Sequence, residues 1–211
     1  MIWKRWCAGW SSDWLFHSSA AALIGFMRLL QIIPILHTDR DLGQLAERAR
    51  QVTSASQGPD AWTQKQQVIN DLWSQIASFV HQLPANLNNY RVYQDGLPIC
   101  DQEERIVADL AAQGNLNHQL LQSLRSRGAH IMGTESAQLL LEEYLLARGT
   151  PRTPETAAQL LQRRDAFIAA RIDATLQAHE SGLLFIGMLH RVETQLPADI
   201  QVSYPCRNSG G

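Results

Sequence analysis

Five residues scattered along the chain have side chains suited to acid–base or metal chemistry: His37, Asp95, Glu135, Asp165 and His190. Imidazole is the one side chain whose ordinary pKa lies near neutrality, and carboxylates orient it, share protons with it or join it around a cation. Four of the five stand just past runs that read as β-strands. His37 follows Leu29 to Leu36, Asp95 follows Tyr90 to Gln94, Glu135 follows Ala129 to Thr134, and His190 follows Leu183 to Leu189. In an open parallel α/β sheet the strand C-termini converge on one crevice, so residues distant in sequence can meet there. The expected catalytic set is His37, His190, Glu135, Asp95 and Asp165. If the site holds a divalent metal, its expected ligands are His37, His190 and Glu135.

Each residue also has a plainer reading. His37 can cap the helix expected after it, and Asp95 can bond amides in the Asp95-Gly96-Leu97-Pro98 turn. Glu135 can sit in a first helical turn, favoured by the helix dipole. The matched strand-end placement of two histidines favours a functional role for the pair. Gly187 would let a ligand or backbone approach closely beside His190. Asp165 falls in an apolar stripe formed by Leu161, Ile168, Ile172 and Leu176, which predicts a buried carboxylate. Such a group needs a partner, and Arg164, Arg171 or a crevice histidine can supply it. Glu142 and Glu143 read as a solvated helix edge.

These residues need elements to position them. Short apolar runs alternate with longer amphipathic stretches, the signature of βα units. Leu29 to Leu36 is nearly continuous in apolar residues, as in a strand buried on both faces. Helices are predicted over Asp39 to Val52, from an Asp60 cap to His81 with Pro84 stopping it, from an Asp101 and Glu104 capping box to Gln113, and over Asn115 to Arg127 with Gly128 closing it. Two more are expected, from Thr134 or Glu135 to about Ala147, and from Thr153-Pro154 to Gly182. A last strand covers Ile200 to Tyr204. The expected fold is α/β: a single domain with a mostly parallel sheet flanked by helices, over residues 27–204, with a disordered tail at 205–211.

With 211 residues and 45% hydrophobic content the chain can bury one good core. A net charge of −2 and the absence of a basic stripe argue against nucleic-acid binding. Three cysteines without CxxC spacing suit a reducing, cytoplasmic setting. Residues 1–26 hold four of the six tryptophans. They fit neither a secretory signal nor a membrane span. The favoured reading is an over-extended start that packs little on the domain, and a membrane-surface anchor is the alternative.

The run Arg164-Asp165 to Ile172, followed by Leu183 to His190 with its Gly187-Met188-Leu189-His190, resembles the closing part of TraB/ChaN/erythromycin-esterase-like proteins. The first strand, ending at His37, resembles that group's opening strand, but Pro34 stands where its first Gly-x-x-His would need glycine. Met27 to about Tyr204 is similar to a bacterial family of uncharacterised proteins. The shared motifs are Tyr93-Gln94-Asp95-Gly96-Leu97-Pro98, Asn117-His118-Gln119-Leu120-Leu121 and Gly133-Thr134-Glu135-Ser136. The superfamily resemblance implies hydrolase-like or ligand-binding chemistry at the strand ends. The expected function is a hydrolase acting on a small polar molecule, with a non-catalytic sensor or binding protein as the alternative.

Overall fold

The computed structural model describes residues 27–36, 45–58, 60–149 and 153–206. His37 and the expected extension at 1–26 lie outside the described residues, as do residues 207–211 of the expected tail. Five strands form one all-parallel sheet: β1 (Arg28–Ile35), β2 (Tyr90–Pro98), β3 (His130–Glu135), β4 (Ser181–Gly187) and β5 (Ile200–Ser203), in the order β3-β2-β4-β1-β5. The helices are α1 (Leu45–Gln57), α2 (Ala61–Gln82), α3 (Glu103–Ala112), α4 (Leu116–Ser126), α5 (Ala137–Gly149) and α6 (Pro154–Thr175), and a 3-10 turn covers Val192–Gln195. The α/β class expected from the alternation is the observed one.

Side-chain alternation along the strands divides the core in two. Ile33, Ile35, Val92, Leu183 and Phe185 face α2, α3 and α4 through Trp73, Ile76, Val107 and Leu121. Leu30, Ile32, Tyr93, Leu184 and Ile186 face α6 and the 3-10 turn through Ile168, Ile172 and Val192. Connections that step from β1 to β2 and on to β3 therefore run over one face. Those that step back, from β3 to β4 and from β4 to β5, run over the other, as right-handed crossovers require. β4 inserts between β2 and β1, so neighbouring strands send their chains to opposite faces and a crevice opens at their C-terminal ends.

Several boundaries differ from the sequence reading. α1 runs on through Thr53 to Gln57, past the end expected at Val52. Asp60 precedes α2 without a side-chain cap. Asp101 takes a positive φ of 58° and does not cap α3; Glu103 reaches back instead, its Oε1 accepting the Cys100 N–H at 2.9 Å. Thr134 and Glu135 belong to β3, and α5 begins only at Ala137. α6 ends at Thr175 with Leu176 extended, not at Gly182, which lies inside β4. There a Cβ on Gly182 would come within 2.6 Å of Leu30 Cδ1, so glycine is set by strand packing and not by a helix end.

The expected turn at Asp95 to Pro98 is a bulge within β2. The register against β3 shifts between Gln94 and Pro98, and Gly96 takes φ +77°, a conformation natural to glycine. The Thr134 hydroxyl patches the interrupted ladder by accepting the Gln94 N–H at 2.9 Å and donating to the Met132 carbonyl at 3.1 Å. Pro34 also has a structural reason. β5 pairs only with Arg28 to Gln31, so β1 is an edge beyond that point, and edges tolerate proline. Among the described residues no helix is long and apolar enough to cross a membrane.

Gly133 is where β3 approaches the chain leaving β2. A Cβ there would meet Glu103 Oε1 at 2.6 Å, the Pro98 carbonyl oxygen at 2.7 Å and Ile99 Cα at 2.8 Å. Two of these are backbone atoms that cannot swing aside. Gly133→Ala should cost roughly 1–3 kcal/mol, the range for overpacking. Urea unfolding would show this as a lower midpoint at unchanged slope, and an unchanged midpoint would contradict it.

Candidate functional site

The site is assembled around one guanidinium. Arg164 lies on α6 in the i+4 row Leu160, Arg164, Ile168, Ile172, and only 5% of it is exposed. Its Nη2 donates to Asp95 Oδ1 at 2.8 Å and to Glu135 Oε1 at 2.5 Å, while Nε reaches Glu135 Oε2 at 3.3 Å. Nη1 donates to Glu143 Oε2 at 2.9 Å. The planar fork thus ties α6 to the ends of β2 and β3 and to α5, a geometry that suits arginine and not lysine. Sequence reasoning named Arg164 only as a partner for Asp165, and placed Glu143 on a solvated edge. Both readings are corrected here, because α5 packs its Glu143 against α6. The available signal was the i+4 row itself, in which Arg164 is the one charged member.

Asp165, next along α6, points to β4. Only 4% of it is exposed. Its Oδ1 lies 2.5 Å from His190 Nδ1, and its Oδ2 accepts the Arg191 backbone N–H at 2.9 Å. Since a carboxylate oxygen only accepts, the contact assigns the proton to Nδ1 and leaves Nε2 for chemistry. Nε2 lies 3.5 Å from Asp95 Oδ2. That same Oδ2 accepts the Gly187 N–H at 2.9 Å. A Cβ on Gly187 would stand 3.1 Å from this oxygen, so the small residue keeps room for the carboxylate at the strand end.

The structure therefore brings Asp95, Glu135, Asp165 and His190 together, although they come from β2, β3, α6 and the turn after β4. The bulge is what turns Asp95 toward α6. Its neighbour Gln94 is also buried, and its Nε2 donates to the Asp95 carbonyl at 2.9 Å. Arg171 instead binds the Gly133 carbonyl at 3.1 Å. His118 is engaged with the Asn115 side chain at the start of α4.

Charge in this buried cluster is strongly coupled. Burial pushes the Glu135 carboxyl above the usual carboxylate range, against Arg164, and the neighbouring Asp95 adds to the rise. Burial also acts to raise Asp95, but His190, Arg164 and the Gly187 N–H together hold it below the usual range. The two carboxyl groups share the Arg164 Nη2 donor, and of the pair Glu135 is the one shifted toward its protonated form. Burial lowers the His190 pKa, and Asp165 and Asp95 override it, leaving a net rise from 6.5.

Asp95, Glu135 and His190 each offer a ligand atom, and these atoms lie within 4.8 Å of one another. Three ligands of this kind can meet one cation. Arg164, however, already holds both carboxylates, so a metal ion would have to displace a guanidinium with three acidic partners. His190 also lines a cavity of about 450 Å³, whose walls include Ile32 and Pro34 of β1, Leu36 just past its end, Leu72 of α2, and Ile186 and Val192. Its volume falls within the range of small-molecule sites. No family model, curated protein or solved structure matches the chain.

Arg164→Ala should destabilise the protein by roughly 3–5 kcal/mol, because it strands buried carboxylates without a cation. Arg164→Lys should recover only part of that, and denaturant unfolding of the pair provides the measurement. His190 adds a pH dependence. Its folded pKa is raised, so its contribution is fully present below the ordinary value of 6.5 and is lost as pH rises through the folded value. Asp165→Asn should flatten stability between neutral and mildly alkaline pH, and an unaltered slope would show that the contact does not set the titration.

Proposed function

We propose that the protein is a hydrolase in which His190 activates water and Asp165 holds its ring. The observation that carries this reading is the 2.5 Å contact between His190 Nδ1 and Asp165 Oδ1, with His190 on the wall of a cavity. A carboxylate on Nδ1 fixes the tautomer and supports the imidazolium that forms when Nε2 takes a proton. Asp95 lies close enough to stabilise that charge, and Arg164 keeps Asp95 and Glu135 in place. The protonated His190 then returns its proton to the leaving atom, while Glu135, fully buried and with a raised pKa, anchors Arg164.

The second reading is a divalent cation held by Asp95, Glu135 and His190, with His37 as a further ligand, which the convergence of three ligand atoms favours. Arg164 favours the metal-free route, since its charge opposes a cation at the same carboxylates. The resemblance to TraB/ChaN/erythromycin-esterase-like proteins rests on the Arg164-Asp165 pair and on Gly187-Met188-Leu189-His190, and those segments supply the contact on which the reading depends. A cytoplasmic setting is part of the proposal, supported by the cysteine pattern, as is a bacterial origin, which rests on the motifs alone. A non-catalytic ligand-binding role would use the same cavity and leave the imidazole contact without a task.

Activity against a panel of p-nitrophenyl esters tests the proposal. The kcat/KM should climb as pH rises through the raised His190 pKa, since the base must be neutral. Asp165→Asn should move that limb to lower pH, and His190→Gln should cut the rate at least 100-fold, as loss of a general base does. Elemental analysis of the active protein should find no stoichiometric metal, and chelator should leave the rate unchanged. Full activity in the His190→Gln protein would end the hydrolase reading, and loss of activity on chelation would select the metal reading.

A further inference from the structure

The acid–base cluster uses only one wall of the cavity that His190 lines. Most of the rest is hydrocarbon, from Ile32 and Pro34 of β1, Leu72 of α2, Ile186 of β4 and Val192 of the 3-10 turn, with Asp71 and Gln75 of α2 and Glu193 of the 3-10 turn as its polar members. The cavity exists because β5 stops pairing at the level of Gln31, which leaves the C-terminal half of β1 uncovered on that side. Its rim is apolar too. Val68 is 60% exposed and Met188 55% exposed, and both line the cavity. Leu189, 78% exposed, adjoins them in the turn that carries His190. Large apolar side chains grouped at a mouth mark a binding surface more often than a solvated one.

One end of the cavity is different. His190 is followed by Arg191, which also lines it. The Arg191 guanidinium bonds the His190 carbonyl at 3.2 Å, and among the described residues it forms no ion pair with a carboxylate. An exposed arginine outside the ion pairs of the described residues, next to an imidazole at the end of a mainly apolar chamber, suits a carbonyl or carboxylate oxygen.

We infer that this cavity is an acyl subsite, which takes the apolar acyl body of an ester and places its carbonyl between His190 and Arg191. The apolar part of the lining argues for an apolar body with one polar end, where the sequence reading expected a small polar molecule. The chemical step rests on the hydrolase reading above; the binding does not. In that step a water oxygen attacks the carbonyl carbon while His190 Nε2 takes the water proton. The C–O bond to the alcohol then breaks, and the proton passes to the departing alkoxide. The products are an alcohol and an apolar carboxylic acid, whose carboxylate faces Arg191.

Binding is read with the full chain and an environment-sensitive fluorescent fatty acid, dansyl-undecanoic acid. The probe should bind saturably, and decanoate should displace it at concentrations at least tenfold below those of acetate. Leu72→Trp, which fills the chamber, and Val68→Trp, which blocks its mouth on an exposed position, should each weaken probe binding at least tenfold. Both variants are to be checked for an unchanged circular dichroism spectrum, and Val68→Trp serves if Leu72→Trp does not fold. No saturable binding, or binding indifferent to Val68→Trp, would overturn the inference.

The ester panel separates this inference from the hydrolase reading. Hydrolysis with equal kcat/KM for acetyl and decanoyl esters would sink the acyl subsite and leave the hydrolase intact. Saturable decanoate binding with no ester cleaved would sink the hydrolase and leave the subsite.

Discussion

Everything in the candidate site depends on the contact of one buried arginine with two strand-end carboxylates. A guanidinium with 5% exposure is costly to bury alone, and so are the carboxylates of Asp95 and Glu135. Together they satisfy one another, and the fork geometry fixes how far α6 slides along the sheet. That slide decides where Asp165, the next residue on the helix, meets His190. Positioning of the imidazole is therefore inherited from an ion-pair network that meets it only at Asp95, whose Oδ2 lies 3.5 Å from Nε2. The electrostatics follow the same order: Arg164 favours the ionised form of both acids, and burial lets only one ionise easily.

Much of this was legible in the sequence for periodic reasons. The strands could be found because a parallel sheet covered on both faces leaves continuous apolar runs such as Leu29 to Leu36 and Leu183 to Met188. The inward phase of Asp165 could be found because its neighbours Ile168 and Ile172 set the helix face. Gly114 and Gly128 close α3 and α4 with positive φ, as glycine at those places should.

The remainder was hidden because it arises between elements. A Tyr-Gln-Asp-Gly-Leu-Pro run reads locally as a turn, and only pairing with β3 makes it a bulged strand. Glu143 reads as solvent-facing because its partner is 21 residues away on another helix. Arg164 was visible as a charged member of an apolar row, but its three acids come from three separate elements. The cavity was hidden too, since it follows from the shortness of β5 and not from any motif.

The strand order has a consequence for how the chain matures. β4 is the fourth strand in sequence but occupies the centre of the sheet, flanked by β2 and β1. Until it arrives, β1 and β2 have no contact with each other through hydrogen bonds, and two rows of unpaired amides face a gap. Such non-local insertion is slow and leaves strand edges open to wrong partners. The same segment brings Gly187 and His190 to Asp95 and Asp165. The imidazole thus arrives with the strand that fills the centre of the sheet, so a chain shortened before β4 keeps Asp95, Glu135 and Asp165 and lacks His190. Completion of the candidate site is coupled by chain order to completion of the sheet.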